Sequence, residues 1–159
     1  MAFIFNADEI FEMAEQIERN GAAFYRLAAQ QFPAQQRLLT TIAEQEDAHW
    51  AIFSALRRQL TSKDREATVS DPDQEAEAYL RALADRRVVD IKHGPKSVLK
   101  GGESFTDILR IALGMEKDSI VFYLGMREMV PPALGQDKLD LIIKEEKKHI
   151  VFLSQLFDK

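Results

Sequence analysis

The sequence predicts an all-α protein: a bundle of four long helices, with a long crossover between the second and third helices that contains a short extra helix. Four stretches of the chain repeat apolar residues at steps of three and four, which is the spacing of one helix face. Only 7 glycines and 5 prolines occur in 159 residues, so these elements can be long. The segment 61–103 between the second and third stretches is long enough to run the length of a bundle.

Composition excludes several classes of function. The 159 residues are 46% hydrophobic, enough for one domain over 1–159 with a sizeable core. A net charge of −5 provides no basic surface for nucleic acid. No apolar run approaches the roughly 20 residues of a membrane span. With 0 cysteines there can be no disulfide and no cysteine-ligated zinc or iron–sulfur centre within the chain. No export signal is recognisable at the start, so we expect a cytoplasmic protein.

The first two helices form a predicted hairpin. The first is expected over 7–31, where Asn6 is placed to cap the helix and Glu9 to complete a capping box. Gly21, inside this helix, costs about 1 kcal/mol relative to alanine. Close approach of a neighbouring element, and not chemistry, is the expected reason for it. Pro33 marks a tight connection, so the second helix, over 34–60, should run antiparallel to the first.

The connector and the second hairpin follow. Residues 61–73 are polar and should form a solvated linker, and Ser70-Asp71-Pro72 is typical of a helix start. We therefore predict a short helix over 73–89, followed by a loop rich in Gly, Pro and Ser. The two remaining bundle helices are predicted over 104–129 and 133–157, on either side of a proline pair.

Polar residues interrupt the apolar face of each long helix. Glu46 and His49 lie in the middle of the second face, and Glu146 and His149 occupy the same places in the fourth. The first and third faces each carry one glutamate followed seven residues later by a tyrosine: Glu18 with Tyr25, and Glu116 with Tyr123. The spacings between equivalent residues are 98 and 100 residues, which indicates an internal repeat of two helical hairpins.

This repeat predicts a site for two metal ions. Glu and His at positions i and i+3 share a helix face, so each Glu-x-x-His pair can hold one ion. Four carboxylates carry a charge of −4, which two divalent cations neutralise; without metal the buried carboxylates would repel one another or take up protons. One Glu-x-x-His motif could be surface charge, but two at matching repeat positions favour metal binding. The predicted ligands are Glu18, Glu46, His49, Glu116, Glu146 and His149.

Four other residues leave alternatives open. Tyr25 and Tyr123 could be core aromatics with satisfied hydroxyls, or could hydrogen-bond the ligand glutamates from a second shell. Glu15 lies one turn before Glu18 and could be an additional ligand, although we expect it to be solvated. The third histidine, in Asp90-x-x-His93, has no repeat partner and is expected at the surface.

With these motifs the chain resembles the ferritin-like di-iron carboxylate superfamily, and within it the erythrin domain of rubrerythrins in a stand-alone form. The resemblance covers nearly the whole chain: Glu18-x6-Tyr25, Glu46-x-x-His49, Glu116-x6-Tyr123 and Glu146-x-x-His149. It implies a ferritin-like four-helix bundle whose six ligands form the catalytic centre, with Glu46 and Glu146 as bridges. The implied metal is iron; imidazole and carboxylate ligands also accept zinc or manganese.

The resemblance also implies a function. An oxidoreductase that reacts with dioxygen or peroxide, and serves in oxidative stress, is the expectation; a ferroxidase or iron-handling protein, or a non-catalytic metal-binding bundle, are the alternatives. No rubredoxin domain lies within these residues, so electrons should come from a separate protein or a small reductant. Peroxide-reducing rubrerythrins usually carry a further glutamate one turn before the third-helix glutamate, where this chain has Leu113. Apolar residues left over on the helix faces predict a homodimer.

Overall fold

The structure, a computed structural model, describes residues 6–66, 75–85 and 87–158. In these ranges it contains no strand, and the predicted all-α class is confirmed. The α-helices are α1 (Ala7–Gln31), α2 (Gln36–Arg58), α3 (Glu75–Asp85), α4 (Phe105–Met129) and α5 (Gln136–Gln155). The short crossover helix is α3, so the predicted third and fourth bundle helices are α4 and α5. None of the helices described here combines the length and the apolar character that a membrane span needs.

The helix starts follow local chemistry where a cap is present. Asn6 accepts a hydrogen bond from the Glu9 backbone N–H at 2.9 Å, and the Glu9 carboxylate accepts one from the Asn6 N–H at 3.0 Å, as the predicted capping box requires. Ser104 and Asp107 form the same box at the start of α4. Both helices begin within a residue of their predicted positions.

The starts of α2 and α5 were predicted too early. Three-residue 3₁₀ turns, Pro33–Gln35 and Pro132–Leu134, occupy those positions instead. Gly135 has a φ of +102°, a left-handed conformation that separates the second turn from α5, so a continuous helix from 133 is impossible. A Cβ at Gly135 would also lie 2.7 Å from the Leu56 side chain.

The connector crosses the bundle and is tied to it. The predicted helix over 73–89 is shorter in the structure, and its predicted start at Ser70-Asp71-Pro72 lies outside the described residues. Its predicted end is wrong because the chain turns onto α4: the Val88 N–H donates to Asp118 Oδ2 at 2.7 Å. On the other side, Asn20 of α1 donates to the backbone oxygen of Ile91 at 3.1 Å.

The two hairpins pack face to face. Within the first hairpin, Arg57 near the end of α2 binds Asp8 near the start of α1 at 3.0 Å, so the two helices are antiparallel. Two apolar clusters, one at each end of the bundle, are built from all four long helices. The polar residues of the predicted site lie between these clusters in the sequence of every long helix. The fold therefore places them at mid-length in the bundle.

Candidate metal centre

All six residues predicted as ligands lie inside the bundle. Each is at most 5% exposed, although the six include four carboxylates and two imidazoles. Charged side chains are rarely buried to this degree unless they are paired or bind a cation. The structure thus brings together every member of the set, from four helices and from both hairpins.

The donor atoms form two groups that share two members. One group contains Glu18, Glu46, His49 and Glu146; the other contains Glu46, Glu116, Glu146 and His149. Within each group the candidate ligand atoms all lie within 4.8 Å of one another. Glu46 and Glu146 belong to both groups, so their carboxylates lie where two ions could share them.

The distances around the two imidazoles are similar in the two groups. His49 Nδ1 lies 3.0 Å from Glu146 Oε1 and 3.4 Å from Glu18 Oε2. His149 Nδ1 lies 3.1 Å from Glu146 Oε2 and 3.5 Å from Glu116 Oε2. In both cases the Nδ1 atom, not Nε2, faces the carboxylates of the two donor groups.

Four donor atoms of the first group are buried without a hydrogen-bond partner in the described part of the chain. They are Glu18 Oε2, Glu46 Oε1, His49 Nδ1 and Glu146 Oε1. Each buried polar atom left unpaired costs about 1–3 kcal/mol, and more when it is charged. Unpaired polar atoms of four different residues that lie within 4.8 Å of one another match the set of ligands that a cation requires. The residues present therefore fit a metal ion.

The tyrosines hold the outer oxygens of the unshared glutamates. Tyr25 OH donates to Glu116 Oε1, and Tyr123 OH donates to Glu18 Oε1. Both bonds cross from one hairpin to the other. Burial, with the charge of the facing glutamate, raises the pKa of each tyrosine well above its usual value, so the hydroxyl keeps the proton that it donates.

Sequence reasoning missed the partners of the outer imidazole nitrogens. His49 Nε2 lies 2.6 Å from Glu145 Oε2, and His149 Nε2 lies 2.8 Å from Gln45 Oε1. An oxygen at Nε2 favours the tautomer with its proton there, which leaves the Nδ1 lone pair free for a metal. The signal in the sequence was the acid or amide directly before each Glu-x-x-His motif.

Gly21 makes room for a member of the site. A Cβ at this position would overlap the Glu46 carboxylate, whose Cδ would lie 3.2 Å away. Close approach of a neighbour was correctly expected, but the expectation that it has no connection with the chemistry was wrong. The neighbour is one of the two shared glutamates.

Two other expectations have opposite outcomes. Glu15 was expected in solvent, but it is 6% exposed and accepts a hydrogen bond from Arg57 Nη1 at 3.0 Å. An ion pair with α2 explains its burial, and it belongs to neither group of donor atoms. His93 lies at the surface as predicted, 2.9 Å from Asp90 Oδ2.

Burial and mutual repulsion make the carboxyl groups hard to ionise without a cation. Burial, followed by the charge of Glu146, raises the pKa of Glu116 to about 8. The same two causes raise the pKa of Glu18 and of Glu46. Burial opposes ionisation of Glu146 as well, but the close approach of Glu116, His149 and His49 outweighs it and lowers the pKa of that carboxyl.

The pKa values of the two imidazoles are raised as well, and for an imidazole a raised pKa favours the charged form. Burial lowers the pKa of His49, but the facing carboxylates of Glu146 and Glu18 outweigh burial and raise it to about 11. Burial also opposes charge on His149, and Glu116 and Glu146 raise its pKa to about 10. At neutral pH the metal-free centre therefore stores protons on its histidines and on Glu116. A metal ion must displace these protons in order to bind.

Two cavities adjoin the centre. A groove of about 530 Å³ between α2 and α5 ends on Gln45 and His149, and Leu38 and Phe152 contribute to its apolar walls. A much smaller cavity, about 10 Å³, lies on the opposite side, where Glu46 and Glu116 line it together with residues of the connector.

Comparisons with known proteins agree with this geometry. The rubrerythrin family matches residues 9–157 of the chain. Among solved structures, a Thermotoga maritima protein described as a candidate ferritin-like diiron-carboxylate protein superposes with a TM-score of 0.75. That protein is 20% identical, and the match covers 98% of this chain and 97% of the other, so it shows a shared fold. No curated protein matches the chain.

Proposed function

This chain belongs to the rubrerythrin family, and we propose that it is a di-metal oxidoreductase that reduces dioxygen or peroxide with electrons from an external donor. The observation that carries the proposal is the pair of overlapping donor groups: each contains three buried carboxylates and one imidazole, with donor atoms within 4.8 Å of one another. Two ions of one element at such a site supply the redox chemistry, while the protein supplies geometry and protection from water.

Each residue has a distinct task in this proposal. Glu18 and His49 would hold one ion, and Glu116 and His149 would hold the other. Glu46 and Glu146 would be shared between the two ions, since both residues belong to both groups. With two divalent ions the charge of the four carboxylates is balanced, which offsets the cost of burying them.

The surrounding residues fix the orientation of these ligands. The tyrosine hydroxyls occupy the outer oxygens of Glu18 and Glu116, so the remaining oxygen of each carboxylate is directed at the interior. Glu145 and Gln45 occupy Nε2 of the histidines and leave Nδ1 for the metal. Such outer contacts typically contribute 10- to 100-fold in metal affinity.

We propose that electrons enter at the groove between α2 and α5. Its floor includes Gln45 and His149, so a donor seated there lies against the imidazole edge of one ligand. Arg37 and Lys148 line the same groove, which suits a donor with acidic groups. We propose iron as the resident metal, with zinc and manganese as competitors for the same ligands.

Leu113 takes the place of a carboxylate that peroxide-reducing rubrerythrins usually carry. It packs against the apolar cluster that contains Leu109 and Leu153. A carboxylate from this turn of α4, as in peroxide-reducing relatives, is therefore replaced by an apolar contact. Exchange of one ligand for another at this position is not open to the protein.

Loading the protein with Fe(II) in the absence of oxygen tests the function. Two irons should bind per chain, and addition of dioxygen or peroxide should produce the near-ultraviolet absorption of an oxo-bridged iron pair. A chemical reductant should then restore the starting spectrum for repeated cycles. Bound iron without a spectral change would refute the oxidoreductase; a single cycle that ends in a large iron-filled assembly would instead favour iron storage.

The ligand assignment has its own test. Glu46→Ala and Glu146→Ala should each bind fewer than two ions per chain, because each removes a donor from both groups. Glu44→Ala is the matched control, since Glu44 is exposed on the same helix as Glu46. Two ions retained in both site variants would disprove the assignment.

We also propose a homodimer. Large apolar side chains remain exposed on the second hairpin, including Leu124 (45%), Leu141 (61%) and Val151 (58%). Sedimentation velocity would test this, and a monomer at micromolar concentration would argue against it.

A further inference from the structure

Arg87 is a cation that neither the repeat nor the ligand set explains. It comes from the crossover, directly after α3, and has no equivalent in the other half of the chain. Its side chain is partly buried, and it lines the small cavity beside the centre together with Glu46, Glu116 and Ser119. Since Glu46 and Glu116 belong to the donor group of His149, this cavity adjoins the position of the second ion.

The segment that carries Arg87 is held firmly over the seam between α1 and α4. Its neighbour Val88 donates its backbone N–H to Asp118 Oδ2 at 2.7 Å. Val88 also lies so close to α4 that a Cβ on Gly114 would be 2.8 Å from Val88 Cγ2. The contact of Asn20 with Ile91 fixes the other side of the seam. The position of Arg87 is therefore set by its neighbours on both helices.

Of the two terminal nitrogens of the Arg87 guanidinium, one makes a hydrogen bond to a described residue and the other makes none. Nη2 donates to Ser119 Oγ at 3.1 Å, whereas Nη1 is buried and has no hydrogen-bond partner there. A buried charged donor that lacks a partner is costly. Burial lowers the pKa of Arg87, and the nearby Tyr123 hydroxyl and the carboxylates of Asp118, Glu18 and Glu146 act against that shift. The group stays charged, because arginine has so high an intrinsic pKa.

The charge of Arg87 and its free nitrogen indicate what that end binds. Four carboxylates and two divalent ions sum to zero, which leaves Arg87 and the half-buried Asp118 as the remaining charges on this side of the second ion. Asp118 accepts a hydrogen bond from the Val88 N–H, and Nη1 has no partner in the described part of the chain. A monoanion that enters the cavity would satisfy Nη1 with a charge-assisted hydrogen bond.

We propose that Arg87 recognises a small monoanion, of the size class of hydroperoxide or azide, at the ion held by Glu116 and His149. The inference rests on the proposed di-metal function, which it deepens by naming the class of ligand. The cavity has room for about one water molecule, so only the coordinating end of the anion lies inside it. A larger oxyanion such as sulfate does not fit.

Binding of an anionic and a neutral probe to the Fe(II)-loaded protein tests this inference. Azide is titrated by calorimetry and nitric oxide by visible absorption, both without oxygen, after the iron stoichiometry of each variant has been measured. Arg87→Met should weaken azide binding about 10-fold or more and leave nitric oxide binding within about 2-fold. Arg87→Lys keeps the positive charge but loses the planar guanidinium with its several N–H donors, so it should weaken azide binding less than Arg87→Met does.

Arg110→Met is the matched control for net charge. Arg110 is exposed on α4 and pairs with Asp107 at 3.5 Å, away from the ligand set. It should leave both probes unchanged.

The outcomes separate this inference from the proposed function. Wild-type protein that binds fewer than two irons overturns both. Full iron loading with equal azide affinity in wild type and Arg87→Met overturns the role of Arg87 alone. If Arg87→Met loses iron, or weakens both probes equally, Arg87 has a structural role and the inference is wrong.

Discussion

Glu145 of the second hairpin accepts a hydrogen bond from Nε2 of His49 of the first, across 2.6 Å and 96 positions of sequence. The reciprocal contact joins His149 Nε2 to Gln45 at 2.8 Å. The two contacts match in geometry but differ in charge, because one acceptor is a carboxylate and the other an amide. A carboxylate makes an imidazole a more basic and stronger ligand.

The two ions should therefore bind with different affinities. We expect a two-step isotherm for the wild-type protein, and a 10- to 100-fold weakening of the tighter step in Glu145→Gln. Gln45→Glu should strengthen the weaker step. Competition titration with a chelating dye measures both steps, and isotherms of wild type and Glu145→Gln that superimpose would contradict the expected difference.

Gly21→Ala should weaken metal binding although alanine favours a helix. Helix propensity alone predicts a gain of about 1 kcal/mol in the free energy of unfolding. The new methyl group would overlap the Glu46 carboxylate and displace it from both donor groups. Gly102→Ala is the control, since no atom lies within 4 Å of a Cβ there. Unchanged metal affinity in Gly21→Ala would show that Glu46 need not occupy this space.

Removal of either tyrosine hydroxyl should destabilise the metal-free protein. Tyr25→Phe and Tyr123→Phe each leave a buried carboxyl oxygen unpaired, at a cost of about 1–3 kcal/mol. Urea denaturation measures the loss. Tyr79→Phe, at a tyrosine that is 47% exposed, should change the stability far less. Site variants as stable as this control would show that water replaces the hydroxyl.

The stability of the metal-free protein should fall as pH rises above neutrality. The folded-state pKa values of His49 and His149, about 11 and 10, lie above the unfolded value near 6.5. Their stabilising contribution is therefore complete below pH 6.5 and is lost as pH rises through the folded values. Glu116, with its pKa raised to about 8, changes stability in the same direction between about pH 4.5 and 8.

Urea denaturation at pH 6.5, 8 and 9.5 measures this trend. The metal-loaded protein should not lose stability over the same interval, because bound ions replace the stored protons. Metal binding itself should weaken towards acid. His149→Gln should reduce the decline of the metal-free protein, whereas His93→Gln, at an exposed histidine, should keep it. A metal-free protein that gains stability between pH 6.5 and 9.5 would disprove the proposal that the buried histidines and Glu116 hold protons at neutral pH.

The sequence predicted those parts of the structure that depend on local periodicity. The bounds of α1 follow from its capping box and from the helical spacing of its apolar residues, both of which involve residues a few positions apart. The convergence of Glu46 with Glu146 could be inferred because the repeat places both on inward faces of paired hairpins. The predicted pair of hairpins with a crossover is the fold observed.

What escaped prediction depends on contacts between distant segments. From the sequence alone Glu145 looks like an ordinary surface carboxylate. Only the packing of the two hairpins shows that it contacts His49. Gly21 looked like a simple packing position, because nothing in α1 reveals that a carboxylate of α2 needs its space. Arg87 lies in the connector, outside the repeat, so periodicity could not place it beside Glu116.

The sharing of one glutamate from each hairpin has a consequence for how a centre of this kind can evolve. Each hairpin supplies three of the four donors in one group, and one of those three, the shared glutamate, also belongs to the other group. A peptide of half this length would need only a second copy of itself to enclose both ions. Once a crossover joined the two copies in one chain, the sequence of each half could change independently. The residue before the Glu-x-x-His motif is one position at which the halves differ: Gln45 in the first and Glu145 in the second.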